Sequence, residues 1–525
     1  MPRLLVNDKC LKRNYSFLRR SFCNAGSGKS IKTWNSVVGL EIHAQIASDS
    51  KLFSAASTKF GKSANSCVSF FDCATPGTLP VLNKKCVEAG VITALALQCQ
   101  INQISYFDRK HYFYADLPAG YQITQQRKPI AINGKLKFNV FTSVANKESY
   151  FKSSKLKQIQ LEQDSGKTLN DESTKRSLID LNRAGIPLME FVFEPDLKDG
   201  EEAAALVKEL ILILQRLNTC SCKMDEGALR VDANVSINRP NESLGVRTEI
   251  KNIGSVRGVA SAINYEIKRQ IDLCERNIEI VNETRAWDVT SNKTISMRSK
   301  EDKQDYRFMP EPNLPPLHIH VDKELENTHN LVDATILKTQ IPEMPQETRD
   351  RLQTDYGLSK IHSIILVNEP ILFDLFMYLI TCNKNRSPYI VFKTIFHELL
   401  GLLYKNNQDY DYVLEIRDEF GKLIDFLQSE KINLMVFNNV LKELVKNPTI
   451  SSKEMIEKNN WFQISDEEEL KKICQTLLDE NPHLVEQYKN GKKKLYKYFL
   501  GQIVKKTNDT ANMKKVDQIM KKLLQ

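Results

Sequence analysis

Glu41 and His43 stand two residues apart in the stretch VVGLEIHAQI, residues 37–46. Apolar and polar residues alternate there, so Leu40, Ile42, Ala44 and Ile46 take one face of a β-strand and Glu41, His43 and Gln45 the other. Strand geometry sets the two functional side chains about 7 Å apart. A carboxylate and an imidazole so placed can hold a divalent cation or exchange a proton. A partly exposed polar strand face accounts for them equally well. A second group lies in LIDLNRAGIPLMEFVFEPD, residues 178–196, where Glu190 sits between Met189 and Phe191. An unpaired carboxylate in such an apolar run is costly, so Glu190 must be paired, protonated or bound to metal. IQLEQDSGK (159–167) adds Glu162 and Asp164, MDEGALRVDANVSI (224–237) adds Asp232, and VRTEIKNIGS (246–255) adds Glu249 and Lys251. Oxygen-rich sets of this kind suit Mg²⁺ beside phosphate better than zinc.

The stretch FDRKHYFYADLPAGYQITQ (107–125) is of another kind. It sets Arg109, Lys110 and His111 among Tyr112, Phe113, Tyr114 and Tyr121, with Pro118 and Gly120 shaping a loop. Basic groups interleaved with aromatics suit a phosphate-bearing, stackable ligand such as a nucleotide or a tRNA end. An aromatic mini-core with surface charges is the alternative. The sequence NAGSGKS (24–30) ends like a phosphate-cradling P-loop, but Cys23 stands where that motif needs its first glycine, and FLRRSF before it is no buried strand.

The elements that must position these residues fall into two regimes. Residues 37–320 show β-like alternation and many turns, interrupted by helical patterns at 201–217 and, after a turn at Asn252–Gly254, at 255–276. The prolines of EPNLPPLHI (311–319) end this regime. Residues 331–525 carry Leu, Lys, Glu and Ile at helical spacing and divide near Lys446–Ser452. The reading is therefore α+β: a β-rich catalytic domain over 37–320, a helical domain over 331–445, and a helical tail over 446–525.

Charge separates the ends from the body. The chain of 525 residues has a formal net charge of +9. Residues 1–36 hold eight basic residues against Asp8, and residues 486–525 hold eleven lysines against Glu486, Asp509 and Asp517, which leaves −6 for the rest. A mildly acidic body with a basic end suggests a polyanion gripped at one end and chemistry elsewhere. The Arg-rich, acid-poor leader has the composition of an organellar transit peptide, assigned to 1–33; a basic nucleic-acid-binding arm is its alternative. No window approaches the roughly 18 apolar residues of a membrane span, so a soluble protein is expected. Eleven cysteines lie scattered without a repeated CxxC, as free thiols of a reducing compartment would.

VVGLEIHAQ, PGTLPVLN, DRKHYFYADLPAGYQITQ, LIDLNRAGIPLMEFVFEPD, MDEGALRVDANVSI, TEIKNIGSVRGV and DYRFMPEPNLPPL together resemble the B-type (GatB) subunit of the tRNA-dependent amidotransferases, and the likeness runs from about residue 37 through YKNGKKK and FLGQIVKKTNDTAN at the C-terminus. The resemblance implies a cradle-shaped N-terminal domain with a kinase-like site, using ATP and Mg²⁺ to phosphorylate the glutamyl carboxylate of Glu-tRNA(Gln). An amidase-type partner then supplies ammonia, a small third subunit completes the complex, and the basic tail binds tRNA in the mitochondrial matrix. An organellar leader favours Glu-tRNA(Gln) over Asp-tRNA(Asn). Carried over by position, Glu41, His43, Glu190, Asp232 and Glu249 are the implied metal-site residues. Lys110 contacts phosphate, and Tyr112 and Glu162 belong to the cofactor site. One departure stands out. Bacterial members of the family commonly read Glu-Glu-Asp where this chain has Glu162-Gln163-Asp164, which opens the ligand set and leaves Glu162 or Asp164 to compensate. A non-catalytic tRNA-binding scaffold and a stand-alone Mg²⁺-dependent ligase are the competing readings.

Overall fold

The alternation in VVGLEIHAQI forms the strand it implies. Strand β1, Asn35–Gln45, buries Val38, Leu40, Ile42 and Ala44 and leaves Glu41, His43 and Gln45 half-buried on its other face. A computed structural model describes residues 34–140, 149–171, 173–299 and 306–524. The leader and its GSGKS lie outside them. β1 is the middle member of a nine-stranded sheet completed by β2 (Gln100–Ile101), β3 (Ala131–Val140), β4 (Tyr150–Gln163), β5 (Pro187–Phe193), β6 (Leu229–Asn238), β7 (Thr248–Lys251), β8 (Glu283–Asp288) and β9 (Lys293–Ser299). The order is β9-β8-β7-β6-β1-β5-β4-β3-β2, and every neighbouring pair is antiparallel except β7–β8.

One face of this sheet is the core. Leu40 and Ile42 of β1, Met189 and Phe191 of β5, Ile159 and Leu161 of β4 and Val231 and Ala233 of β6 are all at most 1 % exposed and pack together. Helices α1 (Lys84–Ala96), α2 (Gly200–Arg216) and α3 (Val256–Glu275) supply apolar stripes to the same cluster. Each starts where a side chain accepts an otherwise orphaned backbone N–H: Asn83 for α1, Asp199 for α2 and Ser255 for α3. The helices α2 and α3 cross so closely at Gly200 that a Cβ there would lie 2.3 Å from the Ala260 carbonyl oxygen. Only glycine permits that approach.

The patterns at 201–217 and 255–276 match α2 and α3 to within a residue or two, whereas α1 is an addition to the reading. Its Val87, Gly90, Val91 and Thr93 are weak helix formers, and it stands because that face is buried against Leu161 and Ile130. The β-rich unit also carries a small sheet in which Asp108–His111 lies between Met309–Pro310 and Tyr121–Thr124, and an exposed hairpin, Lys167–Asp171 with Arg176–Asp180. This compact unit runs to Gln346 and includes the short helix Ala334–Thr339, which packs on α1.

Described by itself, the unit from Glu347 onward is helical, as its spacing implies. One core holds Leu372, Phe376, Leu379, Phe420, Phe437 and Leu441, and a smaller one holds Leu470, Cys474, Phe499, Ile503, Val516 and Met520. Among the described residues no single helix is long and apolar enough to cross a membrane. The helices Lys360–Val367 and Pro370–Cys382 are apolar but bent by 115°, and they bury Leu366, Leu372, Leu375 and Phe376 in the larger core. The chain is thus α+β, with a β-rich first half and a helical second half.

Candidate active site

The face of the sheet away from the helices carries the polar residues. Opposed residues of antiparallel strands point the same way. His43 faces Arg230 of β6 on one side and Glu190 of β5 on the other, and Glu190 in turn faces Gln160 of β4. Two residues along β1, Glu41 faces Asp232, and Asn234 beyond it faces Glu249 of β7. Alternation on β5 explains how Glu190 can sit between Met189 and Phe191: those two are fully buried in the core, while Glu190 projects to the opposite side.

Three of these groups converge. His43 Nε2 lies 3.2 Å from Glu162 Oε1 and 3.9 Å from Glu190 Oε2. The ligand atoms of His43, Glu162 and Glu190 lie within 4.8 Å of one another, the one such grouping among the described residues. The Thr124 hydroxyl donates to Glu162 at 3.2 Å, and the Gln160 amide donates to Glu190. Burial works against a charged imidazole at His43, but the hydrogen bond to Glu162 and the charges of Glu190 and Glu162 outweigh it and raise His43 to about 9. Burial and the neighbouring Glu162 push Glu190 well above the usual carboxylate range, while His43 and Lys110 hold Glu162 below it in spite of its burial. The cluster therefore packs two close carboxylates against an imidazole in a poorly hydrated place, with the charges of Lys110 and Arg230 also reaching it.

The other implied metal residues are engaged differently. Lys251 Nζ bridges Asp232 Oδ2 at 2.6 Å and Glu249 Oε1 at 3.2 Å. The Asn234 amide donates to Glu41 at 3.1 Å. So Glu41, Asp232 and Glu249 form a second acidic patch beside the His43 cluster and are not part of its three-ligand grouping. Gln163 also falls outside it and lines a cavity of about 310 Å³ with Asp72, Thr75, Gly77, Leu117 and Asp164. Glu162, read as a cofactor-site residue, is the group that closes on His43.

Lys110 lies on the central strand of the small sheet, Asp108–His111, its Nζ 4.8 Å from the centre of the Tyr306 ring. Its charge reaches both Glu162 and Glu190. Tyr112 packs edge-on against Tyr114 and Tyr306, and its hydroxyl donates to Gln122, whose amide donates to the Gln163 carbonyl at 2.7 Å. Arg109 clamps the Met309–Pro310 strand by two hydrogen bonds to Glu311, at 2.6 and 3.0 Å. The basic–aromatic stretch and the DYRFMPEP stretch thus fold together beside the acidic cluster.

Sequence reasoning did not single out Gln160, Arg230 or Tyr306. Period two carried the signal for the first two, because Gln160 and Glu162, like Arg230 and Asp232, alternate on one strand face. Tyr306 has no such signal, since nearly two hundred positions separate it from Lys110.

The family model of the GatB/GatE catalytic domain matches residues 36–325, and that of the GatB domain matches residues 377–524. Across its length the chain is similar to the mitochondrial B-type subunit of glutamyl-tRNA(Gln) amidotransferase from Aedes aegypti, 49% identical over 515 residues and 97% of each chain. The protein of that name from Homo sapiens is 45% identical over 494 residues, 94% of this chain and 88% of its own. The B-type subunit of the aspartyl/glutamyl-tRNA(Asn/Gln) amidotransferase from Rickettsia canadensis (strain McKiel) is 41% identical over 491 residues, 94% of this chain and 98% of its own. A sheet face that gathers the residues of VVGLEIHAQ, IQLEQD, LMEF and LRVDAN, matched across nearly the whole chain by these relatives, leaves one assignment: the chain belongs to the GatB family of tRNA-dependent amidotransferase subunits.

Proposed function

We propose that the His43–Glu162–Glu190 cluster is where this chain, as the mitochondrial GatB-type subunit of a glutamyl-tRNA(Gln) amidotransferase, activates the glutamyl side chain of Glu-tRNA(Gln). The enzyme class is a ligase that forms a carbon–nitrogen bond with glutamine as nitrogen donor. A carboxylate is a poor acceptor for ammonia because hydroxide or oxide is a poor leaving group. In the first step a carboxylate oxygen attacks the γ-phosphorus of ATP and the bond to the β-phosphate oxygen breaks, giving ADP and an acyl phosphate. In the second, ammonia attacks the acyl carbon and phosphate leaves, giving the amide. The ammonia comes from glutamine hydrolysed on an amidase-type partner, and a small third subunit completes the complex.

The observation that carries this reading is the convergence of two carboxylates and an imidazole within 4.8 Å beside Lys110. The donor set fits Mg²⁺: Glu162 and Glu190 offer hard oxygen ligands beside the His43 imidazole nitrogen. When bound, Mg²⁺ neutralises the transferring phosphoryl group. His43, Glu162 and Glu190 would hold it, Gln160 and Thr124 orient the two carboxylates, and Lys110 brings a fixed positive charge to the phosphate side. The exposed Phe113 and half-exposed Tyr114 offer rings on which a base can stack. The lysine-rich tail grips the tRNA, and the leader addresses the protein to the matrix. Asp-tRNA(Asn) is the second substrate to test, because the Rickettsia relatives carry both amino acids in their names.

The test is reconstitution with the partner subunits, Glu-tRNA(Gln), ATP and glutamine. His43→Ala is expected to abolish ADP and Gln-tRNA formation and to spare glutamine hydrolysis by the partner. Full amidation by His43→Ala would reduce the cluster to a polar strand face and favour the scaffold reading.

A further inference from the structure

Anionic substrates must enter a sheet face already crowded with Glu41, Glu162, Glu190 and Asp232, so the cations of that face decide where they settle. Lys251 is occupied by two carboxylates and Lys110 lies over an aromatic ring. Arg230 is different. It stands directly across from His43 on β6, close enough for its charge to act on both His43 and Glu162. Its Nη2 donates to Asp164 Oδ2 at 3.0 Å, and Arg183 Nε lies 3.6 Å from that same oxygen. Asp164 is itself fixed, its Oδ1 accepting the Ser165 N–H at 2.9 Å. The guanidinium is therefore tethered at one nitrogen, while its Nε is buried with no hydrogen-bond partner. A guanidinium held through one nitrogen keeps further N–H donors for a second acceptor, and its donors match carboxylate and phosphate oxygens. Asp164 also lines the 310 Å³ cavity, which gives a short side chain room on that side.

We propose that Arg230 is the oxyanion receptor of this site, binding a carboxylate or phosphate oxygen of the reacting pair. This rests on the cluster being the activation site. The glutamyl carboxylate of the charged tRNA and the phosphates of ATP offer the same chemistry, and binding measurements separate them. The intact complex carrying Arg230→Met is compared with the parent for its affinity toward Glu-tRNA(Gln), uncharged tRNA(Gln) and ATP. Loss of the charge-assisted pair is expected to weaken one ligand by about tenfold to a hundredfold. Weakened Glu-tRNA(Gln) with unchanged uncharged tRNA and ATP identifies the carboxylate. Weakened ATP with the two tRNAs unchanged identifies the phosphate. Unchanged affinity for both Glu-tRNA(Gln) and ATP overturns the proposal and leaves Arg230 a structural partner of Asp164. Should Arg230→Met fail to assemble, Arg230→Lys keeps the charge and loses the fork. It must still weaken the same ligand several-fold, and full affinity in it overturns the proposal as well. Because binding is read without turnover, a parent complex that forms no ADP on Glu-tRNA(Gln) would fail the functional reading and leave this test standing.

Discussion

Glu162 and Gln163 are adjacent in sequence and opposite in consequence. On β4 successive side chains alternate, so Glu162 reaches His43 at 3.2 Å while Gln163 lines the neighbouring cavity. The amide at 163 therefore removes no member of the three-ligand grouping. Two substitutions follow from this. Glu162→Gln is expected to cut ATP-dependent activation by about a hundredfold or more, the scale of losing one electrostatic stabiliser of a developing charge. Gln163→Glu is expected to leave the rate near that of the parent. Single-turnover ADP formation measures both, and equal losses would show that the strand register assigned to the site is wrong. The Glu41/His43 face and the need of Glu190 for a partner were legible in sequence, because alternation and the cost of a buried charge are local rules. That Glu162, rather than Glu41, closes on His43 was not, because β4 and β1 are joined through β5 and no local pattern records a diagonal contact across three strands.

Among the elements, α3 shows how the polar site is kept rigid from behind. Glu266 lies fully buried on its inner face, with hydrogen bonds from Thr248 of β7 at 2.9 Å and Thr294 of β9 at 2.8 Å and an ion pair to Arg269 at 2.6 Å. Arg285 of β8 lies 3.5 Å away, and Glu283 is the other acid facing these arginines. One carboxylate thus ties a helix to the three strands at one edge of the sheet. Burial alone would raise its pKa, but the hydrogen bond and charge of Arg269, with Thr294 and Thr248, hold it below the ordinary value. A depressed carboxylate contributes stability that is present above its unfolded pKa, about 4.3, and lost as pH falls through the folded one. Glu266→Gln should therefore be less stable than the parent at pH 7 and converge with it below about pH 4, which chemical denaturation across that range can read. Glu266→Ala, which leaves Arg269 and Arg285 with Glu283 alone and the buried Thr248 and Thr294 hydroxyls without this acceptor, is expected to cost about 3 kcal/mol at neutral pH. At the α2–α3 crossing, Gly200→Ala must move the backbone at Ala260 and is expected to cost about 1–3 kcal/mol. The strand faces and two of the three helices here were legible because their periodicity is strong. Helix α1 was not, since its β-branched residues and Gly90 suit a packed surface better than an isolated helix, and only the tertiary neighbours decide the matter.

Over the whole molecule, charge and fold agree on a division of labour. The body of the chain is acidic and sets Glu41, Glu162, Glu190, Asp232 and Glu249 on one sheet face, while the last forty residues carry eleven lysines. Removing those forty residues would be a poor probe of tRNA binding. Phe499, Ile503, Val516 and Met520 are fully buried against Leu470, Cys474 and Leu477, so the cut would expose half of a small core. Charge has to be separated from packing. Lys506, Lys514 and Lys521 are paired with Glu480, Glu430 and Asp517. Lys492, Lys493, Lys494 and Lys497 are exposed around one turn and the start of the helix Leu495–Lys506, with Tyr488 and Tyr498 close by in sequence. Replacing these four by Gln leaves the core untouched. If they neutralise tRNA phosphates, the dependence of log affinity on log salt should flatten by about one unit for each phosphate that loses its lysine. The KM for Glu-tRNA(Gln) should rise at moderate salt, while ATP affinity and the thermal midpoint stay where they were, because the ATP-activation site proposed here belongs to the other compact unit. Filter binding of tRNA at two salt concentrations decides it. Equal slopes for parent and variant would make these lysines a solvated helical face and put the grip on tRNA elsewhere, on the acidic body's few cationic surfaces or on another protein of the complex.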